Sequence, residues 1–127
     1  MFESIRWMVQ IDLYPLLSFY KSDNGGMREA WGAFKKFQSE PEQLHQREKR
    51  LPGLMEYSSD QLFFMSFANM WCETKTISAL AAQLKSDPHS PGSVRVKAVT
   101  SNMQEFQDAF KCKIGDKNVR ENKCIVW

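Results

Sequence analysis

Apolar positions along the chain come in short bursts, and the spacing inside each burst predicts its structure. Residues 2–20 fit a short helix or a pair of strands. Ser22, Asp23 and Asn24 are residues that cap helix starts, and Gly25-Gly26 lets the chain turn into the next element. Trp31, Phe34 and Phe37 then recur at helical spacing, which predicts an amphipathic helix over about residues 27–39, ended by Pro41. Residues 40–50 are polar and read as surface. Leu51-Pro52-Gly53-Leu54 reads as a turn with two apolar anchors. Ser58, Ser59 and Asp60 cap the strongest helix, in which Leu62, Phe63, Ser66, Phe67, Met70 and Trp71 form one wide face. Ile77, Leu80, Ala81 and Leu84 predict another helix, ending before Asp87-Pro88. Val94, Val96 and Ala98 alternate with Arg95, Lys97 and Val99, which predicts a short strand near 93–99. Capping-box residues lie in Ser101 to Glu105, followed by Phe106, Ala109 and Phe110 as the buried face of a last helix. Gly115-Asp116-Lys117-Asn118 is a turn. The expected fold class is mainly α with a short β-strand segment, the strand joining a sheet edge or packing on further chain.

Composition narrows the class. The 127 residues suffice for one domain, and 43% hydrophobic with 25% charged residues is ordinary globular usage. Seventeen basic against 15 acidic residues leave a net charge of +2, too balanced to predict nucleic acid or an anionic membrane as partner. The basic run His45 to Arg50 contains its own glutamate and no aromatics, so it reads as a solvated face. Asp12 and Pro15 interrupt the apolar N-terminus well short of the roughly 20 residues of a membrane span. It also makes a poor signal peptide, because Glu3 offsets Arg6 and no small-residue cleavage site comes after. Three cysteines, Cys72, Cys112 and Cys124, lack C-x-x-C or zinc-finger spacing. They read either as inert reduced thiols or as half-cystines whose partners lie on chain not present.

One stretch carries candidate chemistry. In D-P-H-S-P-G-S-V-R, residues 87–95, Pro88 and Pro91 stiffen the backbone around His89. Asp87 is close enough to bias the imidazole, and Arg95 comes next on the expected strand, opposite Val94 and Val96. A fixed imidazole near a fixed guanidinium suits stabilisation of an oxyanion and grip on a carbonyl or carboxylate. Taken alone, the same residues read first as a loop histidine closing a helix end and an arginine paired with a surface carboxylate. H-E-x-x-H, G-x-S-x-G, Walker and dinucleotide fingerprints are all absent from the sequence.

Several motifs in order resemble the neprilysin and endothelin-converting-enzyme family of zinc metallopeptidases. S-D-Q-L-F-F-M-S-F-A-N-M-W-C at 59–72 is similar to that family's hallmark helix, and its spacing to D-P-H-S-P-G-S-V-R is the family's. L-P-G-L at 51–54, F-Q-D-A-F-K-C at 106–112 and the closing C-I-V-W match as well, and S-D-N-G-G at 22–26 resembles the end of the family's E-x-x-x-D-N-G-G. The resemblance implies that His89 hydrogen-bonds the tetrahedral oxyanion of peptide hydrolysis and that Arg95 binds a substrate backbone carbonyl. It implies that Met70 and Trp71 wall the adjoining pocket. Asp23, and with it Asp87, is implied to support a zinc ligand from outside the metal's own shell.

The departures shape the functional expectation. The third zinc ligand of the family, four residues before Asp23, is replaced by Phe19, and residues 1–20 do not resemble the family. The resemblance therefore implies a leader at 1–20 and the C-terminal part of a neprilysin-type domain at 21–127. The expected function is a fragment of a zinc metalloendopeptidase that lacks its metal site and is inactive alone. Zinc is the cofactor of the complete family enzyme, with none expected here. The alternative is a non-catalytic module binding peptides or a partner helix. Peptide substrates, no nucleic acid, no membrane anchor in this chain, and association with a missing upstream domain or a homologue complete the expected partners. The resemblance implies an extracellular or cell-surface setting, with Cys72, Cys112 and Cys124 as half-cystines. A splice product, a partial gene and an incorrect gene model remain open as origins.

Overall fold

The computed structural model of the chain describes residues 13–40 and 51–124, without the side chains of residues 13–20. Expectations for residues 1–12, for Pro41 and the polar run to residue 50, and for Ile125 to Trp127 lie outside the described residues. Among the described residues the chain forms five helices: α1 Leu13–Ser39, α2 Ser59–Met70, α3 Ile77–Ser86, α4 Gly92–Ser101 and α5 Gln104–Phe110. α1 packs chiefly on α4, α2 on α5 and α4, and α4 on α5.

The expected short strand is overturned, and with it the mixed part of the fold class, since no strand occurs among the described residues. Residues 93–99 are helical, part of α4. The valine alternation is real, but the positions that pack recur at helical spacing: Gly92, Val96, Val99 and Met103 are buried or half-buried. Packing against α1 outweighs the preference of β-branched residues for strands. Arg95 accordingly projects from a helix.

The expected cap and turn at 22–26 are also corrected, because α1 runs straight through them. Two glycines cost about 1 kcal/mol each in a helix interior. Asn24 and Gly25 are buried where α1 meets α4, and the long-range bonds Asp23–Arg95 and Asn24–Asn102 hold this segment helical. The expected caps of α5 do not act either: Met103 begins it with no side-chain cap. The Ser101 hydroxyl instead donates to the Ala98 carbonyl at 3.2 Å, and the Asn102 amide donates to Asn24 Oδ1 at 2.9 Å and to the Cys124 carbonyl at 2.8 Å.

The other local signals hold. The Ser58–Gln61 capping box closes in both directions, with Ser58 N–H donating to Gln61 Oε1 at 2.9 Å and Gln61 N–H donating to Ser58 Oγ at 3.1 Å. The same Gln61 amide donates to the Ala109 carbonyl at 3.0 Å, tying α2 to α5. In the 51–54 turn the Leu54 N–H donates to the Leu51 carbonyl, with Gly53 at φ 81°, a left-handed conformation suited to glycine.

The core is small and aromatic. Phe64 is 1% exposed and stacks on Trp31 with centroids 5.2 Å apart, while Phe106 meets it edge-on at 5.3 Å. Met27, Val99 and Met103 complete the buried set, with Phe63, Phe67 and Phe110 packed against it. Burying one such side chain contributes about 1.5–3 kcal/mol. α3 takes no part in the principal helix contacts, and its expected apolar face is open, with Ile77 90% exposed.

Candidate functional site

Trp71 organises the site. α2, pinned at its start by the capping box and at its middle by Phe64, ends at Trp71, whose N–H donates to the Ala68 carbonyl while the Cys72 N–H donates to the Asn69 carbonyl, both at 3.1 Å. The Arg95 guanidinium lies over the indole ring, 3.7 Å from its centroid. The indole N–H is buried with no acceptor among the described residues, so packing rather than a hydrogen bond fixes the ring.

Asp23 completes this corner from α1. Arg95 Nε donates to Asp23 Oδ2 at 2.6 Å, and Nη2 donates to Oδ1, a two-point contact between side chains that are each only 15% exposed. The hydrogen bond to Asp23 raises the arginine's already high pKa, against a smaller opposing effect of desolvation. With Nε and Nη2 engaged and one face against Trp71, Nη1 is the donor edge left for a ligand. A guanidinium already neutralised by a carboxylate favours a neutral carbonyl over a second carboxylate.

His89 sits in the turn before α4. Its N–H donates to Asp87 Oδ1 at 2.8 Å, and Nδ1 lies 2.8 Å from the same oxygen. These contacts, the backbone one first, hold the Asp87 carboxyl below the usual carboxylate range. With Nδ1 turned to Asp87, Nε2 is the other ring nitrogen, and it carries a proton alongside Nδ1–H only in the imidazolium form.

The turn docks on the residues just past Trp71. The Gly92 N–H donates to Glu73 Oε1 at 3.0 Å, and a Cβ on Gly92 would lie 2.6 Å from the Trp71 carbonyl oxygen. Only glycine permits this approach. Arg95 and the His89 turn thus share one support, the segment from Trp71 to Glu73.

The remaining expected residues are spread more widely. Met70 is 71% exposed at the end of α2. Asp23, implied to orient a zinc-binding histidine, faces Arg95, and Asp87 faces His89. Cys72 and Cys124 are exposed and Cys112 is half-buried, and the three are not joined to one another. Among the described residues no three histidine, cysteine or carboxylate side chains converge as a metal site would require, so these residues do not fit a zinc ion. No helix among them is long and apolar enough to cross a membrane. Sequence pattern gives no sign of Glu73 and Gly92, because their contact spans 19 residues and has no local signature.

The five helices bring Asp23, Trp71 and Arg95 together and dock the His89 turn on the segment that follows Trp71. The chain matches Peptidase family M13 over residues 17–126 and belongs to that family. It is 43% identical to Neprilysin-11 of Caenorhabditis elegans, over 106 residues that make up 84% of this chain and 12% of that protein. Over the same share of this chain it is 44% identical to an endothelin-converting enzyme homolog of Locusta migratoria and 37% identical to human neprilysin, in each case 14% of the relative's length. The chain therefore spans only about an eighth of the length of these curated relatives.

Proposed function

We propose that residues 21–127 supply the substrate-gripping corner of a neprilysin-type metalloendopeptidase, behind a leader at 1–20. Arg95 takes a peptide backbone carbonyl through its Nη1 edge, braced by Asp23 and flattened on Trp71. Trp71 and Met70 wall the adjoining pocket. As the imidazolium, with Nδ1–H held by Asp87, His89 donates from Nε2 to the oxygen that gains charge when the scissile carbonyl becomes tetrahedral. The observation that carries this reading is the two-point Asp23–Arg95 contact stacked on Trp71, which holds a guanidinium ready at low conformational cost.

In this reading the chain is not a hydrolase by itself. Its 127 residues hold no H-E-x-x-H, and Phe19 occupies the place of a zinc ligand. Zinc, an extracellular setting and cystine partners for Cys72, Cys112 and Cys124 belong to the complete family enzyme. The purified chain, given zinc and a fluorogenic peptide, is expected to show no chelator-sensitive turnover, and such turnover would sink the claim of inactivity. A fluorescein-labelled apolar pentapeptide should bind, with affinity falling about tenfold in Arg95→Ala.

A second reading, a non-catalytic module that binds a partner helix or a homologue's domain, is favoured by α3. Ile77, Leu80 and Leu84 leave an apolar row open on a helix outside the principal packing. Under it, Arg95→Ala leaves peptide affinity unchanged, whereas Leu80→Asp abolishes association with a family relative.

A further inference from the structure

Between the end of α2 and the start of α4 runs a chain of polar contacts. Glu73 Oε1 accepts from the Gly92 N–H at 3.0 Å, while Glu73 Oε2 meets Lys75 Nζ at 2.8 Å. Lys75 Nζ also donates to Gln83 Oε1 at 2.6 Å, and the Gln83 amide reaches the His89 carbonyl at 3.4 Å. The contacts enclose the His89 turn from both ends: Glu73 holds the residue that starts α4, and Gln83 holds the histidine's own carbonyl.

Two more features show that this closure sets geometry. α4 begins at Pro91, which offers no side-chain cap, so its first N–H depends on a carboxylate from another part of the chain. Gly92 also approaches the Trp71 carbonyl so closely that no side chain fits between them. Glu73 therefore fixes where α4 starts relative to Trp71. Its place as cap also fixes the distance between His89, before the helix, and Arg95, one turn into it.

We propose that Glu73 is the positioning residue of this corner, holding the His89 imidazole in register with Arg95 through the Gly92 N–H and, by way of Lys75 and Gln83, through the His89 carbonyl. Lys75 keeps the carboxylate aimed and charged, consistent with a Glu73 pKa held down first by that lysine and then by the Gly92 N–H. The value of this positioning to a substrate rests on the oxyanion role proposed for His89, whereas its effect on the ring does not.

Imidazole spectra of the purified full chain test it, because the sequence has only two histidines and His89→Ala identifies the second signal. Wild-type protein should show one ring in a fixed Nδ1–H state, set by Asp87. In Glu73→Ala that signature should average toward the one expected for an unconstrained ring, and the Gly92 amide should exchange with solvent about tenfold faster, at unchanged helix content. Glu73→Gln, which keeps an acceptor for Gly92, should restore most of the protection. Gln83→Ala, on a helix outside the core, should disturb the ring without touching Gly92 and needs no intact Glu73 variant. A ring signature and Gly92 exchange unchanged in both Glu73→Ala and Gln83→Ala would overturn the proposal. If Glu73→Ala moves the ring as expected while His89→Ala leaves pentapeptide affinity intact, positioning by Glu73 stands and only the substrate role of His89 falls.

Discussion

Arg95→Ala removes three things at once: two hydrogen bonds to Asp23 and the stack on Trp71. Exposed ion pairs contribute about 0.2–1 kcal/mol. Removing one member of a fully buried pair costs about 3–5 kcal/mol, because the other charge is stranded. The Asp23 and Arg95 side chains are 15% exposed, nearer the buried limit but still touching water. Arg95→Ala should therefore cost about 2–3 kcal/mol, of which about 0.5–1 is the cation–π contact. Asp23→Ala should cost less, about 1.5–2 kcal/mol, since the guanidinium keeps its ring. The double variant should fall short of the sum by about 1.5 kcal/mol, the coupling within the pair. Urea unfolding tracked by circular dichroism measures all four corners of the cycle, provided the m-values agree. Additivity within about 0.3–0.5 kcal/mol would refute the pairing. Arg95→Lys keeps the charge but loses the fork and the stack, and should recover less than half of the loss. A raised arginine pKa contributes stability below the unfolded value that is lost only as pH rises through the folded one, so Arg95 itself adds no pH dependence near neutrality.

The neighbouring contacts set further outcomes. Gly92→Ala drives a methyl against the Trp71 carbonyl oxygen, at 2.6 Å, and should destabilise by about 1–3 kcal/mol in thermal unfolding. Phe64→Ala empties the centre of the aromatic cluster and should cost about 3–5 kcal/mol, a fall in Tm of roughly 10–20 °C. Asp87 and Glu73 both have depressed pKa values, so their contribution is present above the unfolded carboxylate value and is lost as pH falls through the folded one. Amide exchange, corrected for intrinsic rates, should show the His89 turn closed down to about pH 4 and opening below it, and opening at pH 5–6 would contradict these assignments.

What could be read in advance depended on how local the cause was. Ser58 is legible as the cap of α2 because its contact with Gln61 spans three residues, and the structure shows it capping. The family motifs drew attention to His89, Arg95, Trp71 and Asp23; of these, Asp23, Arg95 and Trp71 meet in the structure, while the side chain of His89 faces Asp87. The failures share a physical origin in distant partners. Gly25-Gly26 reads as a break because its neighbours Asp23 and Asn24 find partners 72 and 78 residues away. Val94, Val96 and Ala98 read as a strand because the cap of their helix is Glu73, from beyond another helix. Asn102 reads as a cap, but its side chain is committed to Asn24 and to both backbone groups of Cys124.

Those distant partners of α1 have a consequence for the birth of the chain. Its glycine-containing middle is poor helix material until Arg95 and Asn102 arrive to hold Asp23 and Asn24. At about 5–20 residues per second, synthesis needs roughly 4–15 s to add the 72 residues that separate Asp23 from Arg95. Throughout that interval Trp31 and Phe34 also lack part or all of the aromatic cluster they later join. The first helix of this chain is thus among the last to become stable, and a ribosome-bound intermediate shorter than α4 would present it as a site for chaperones.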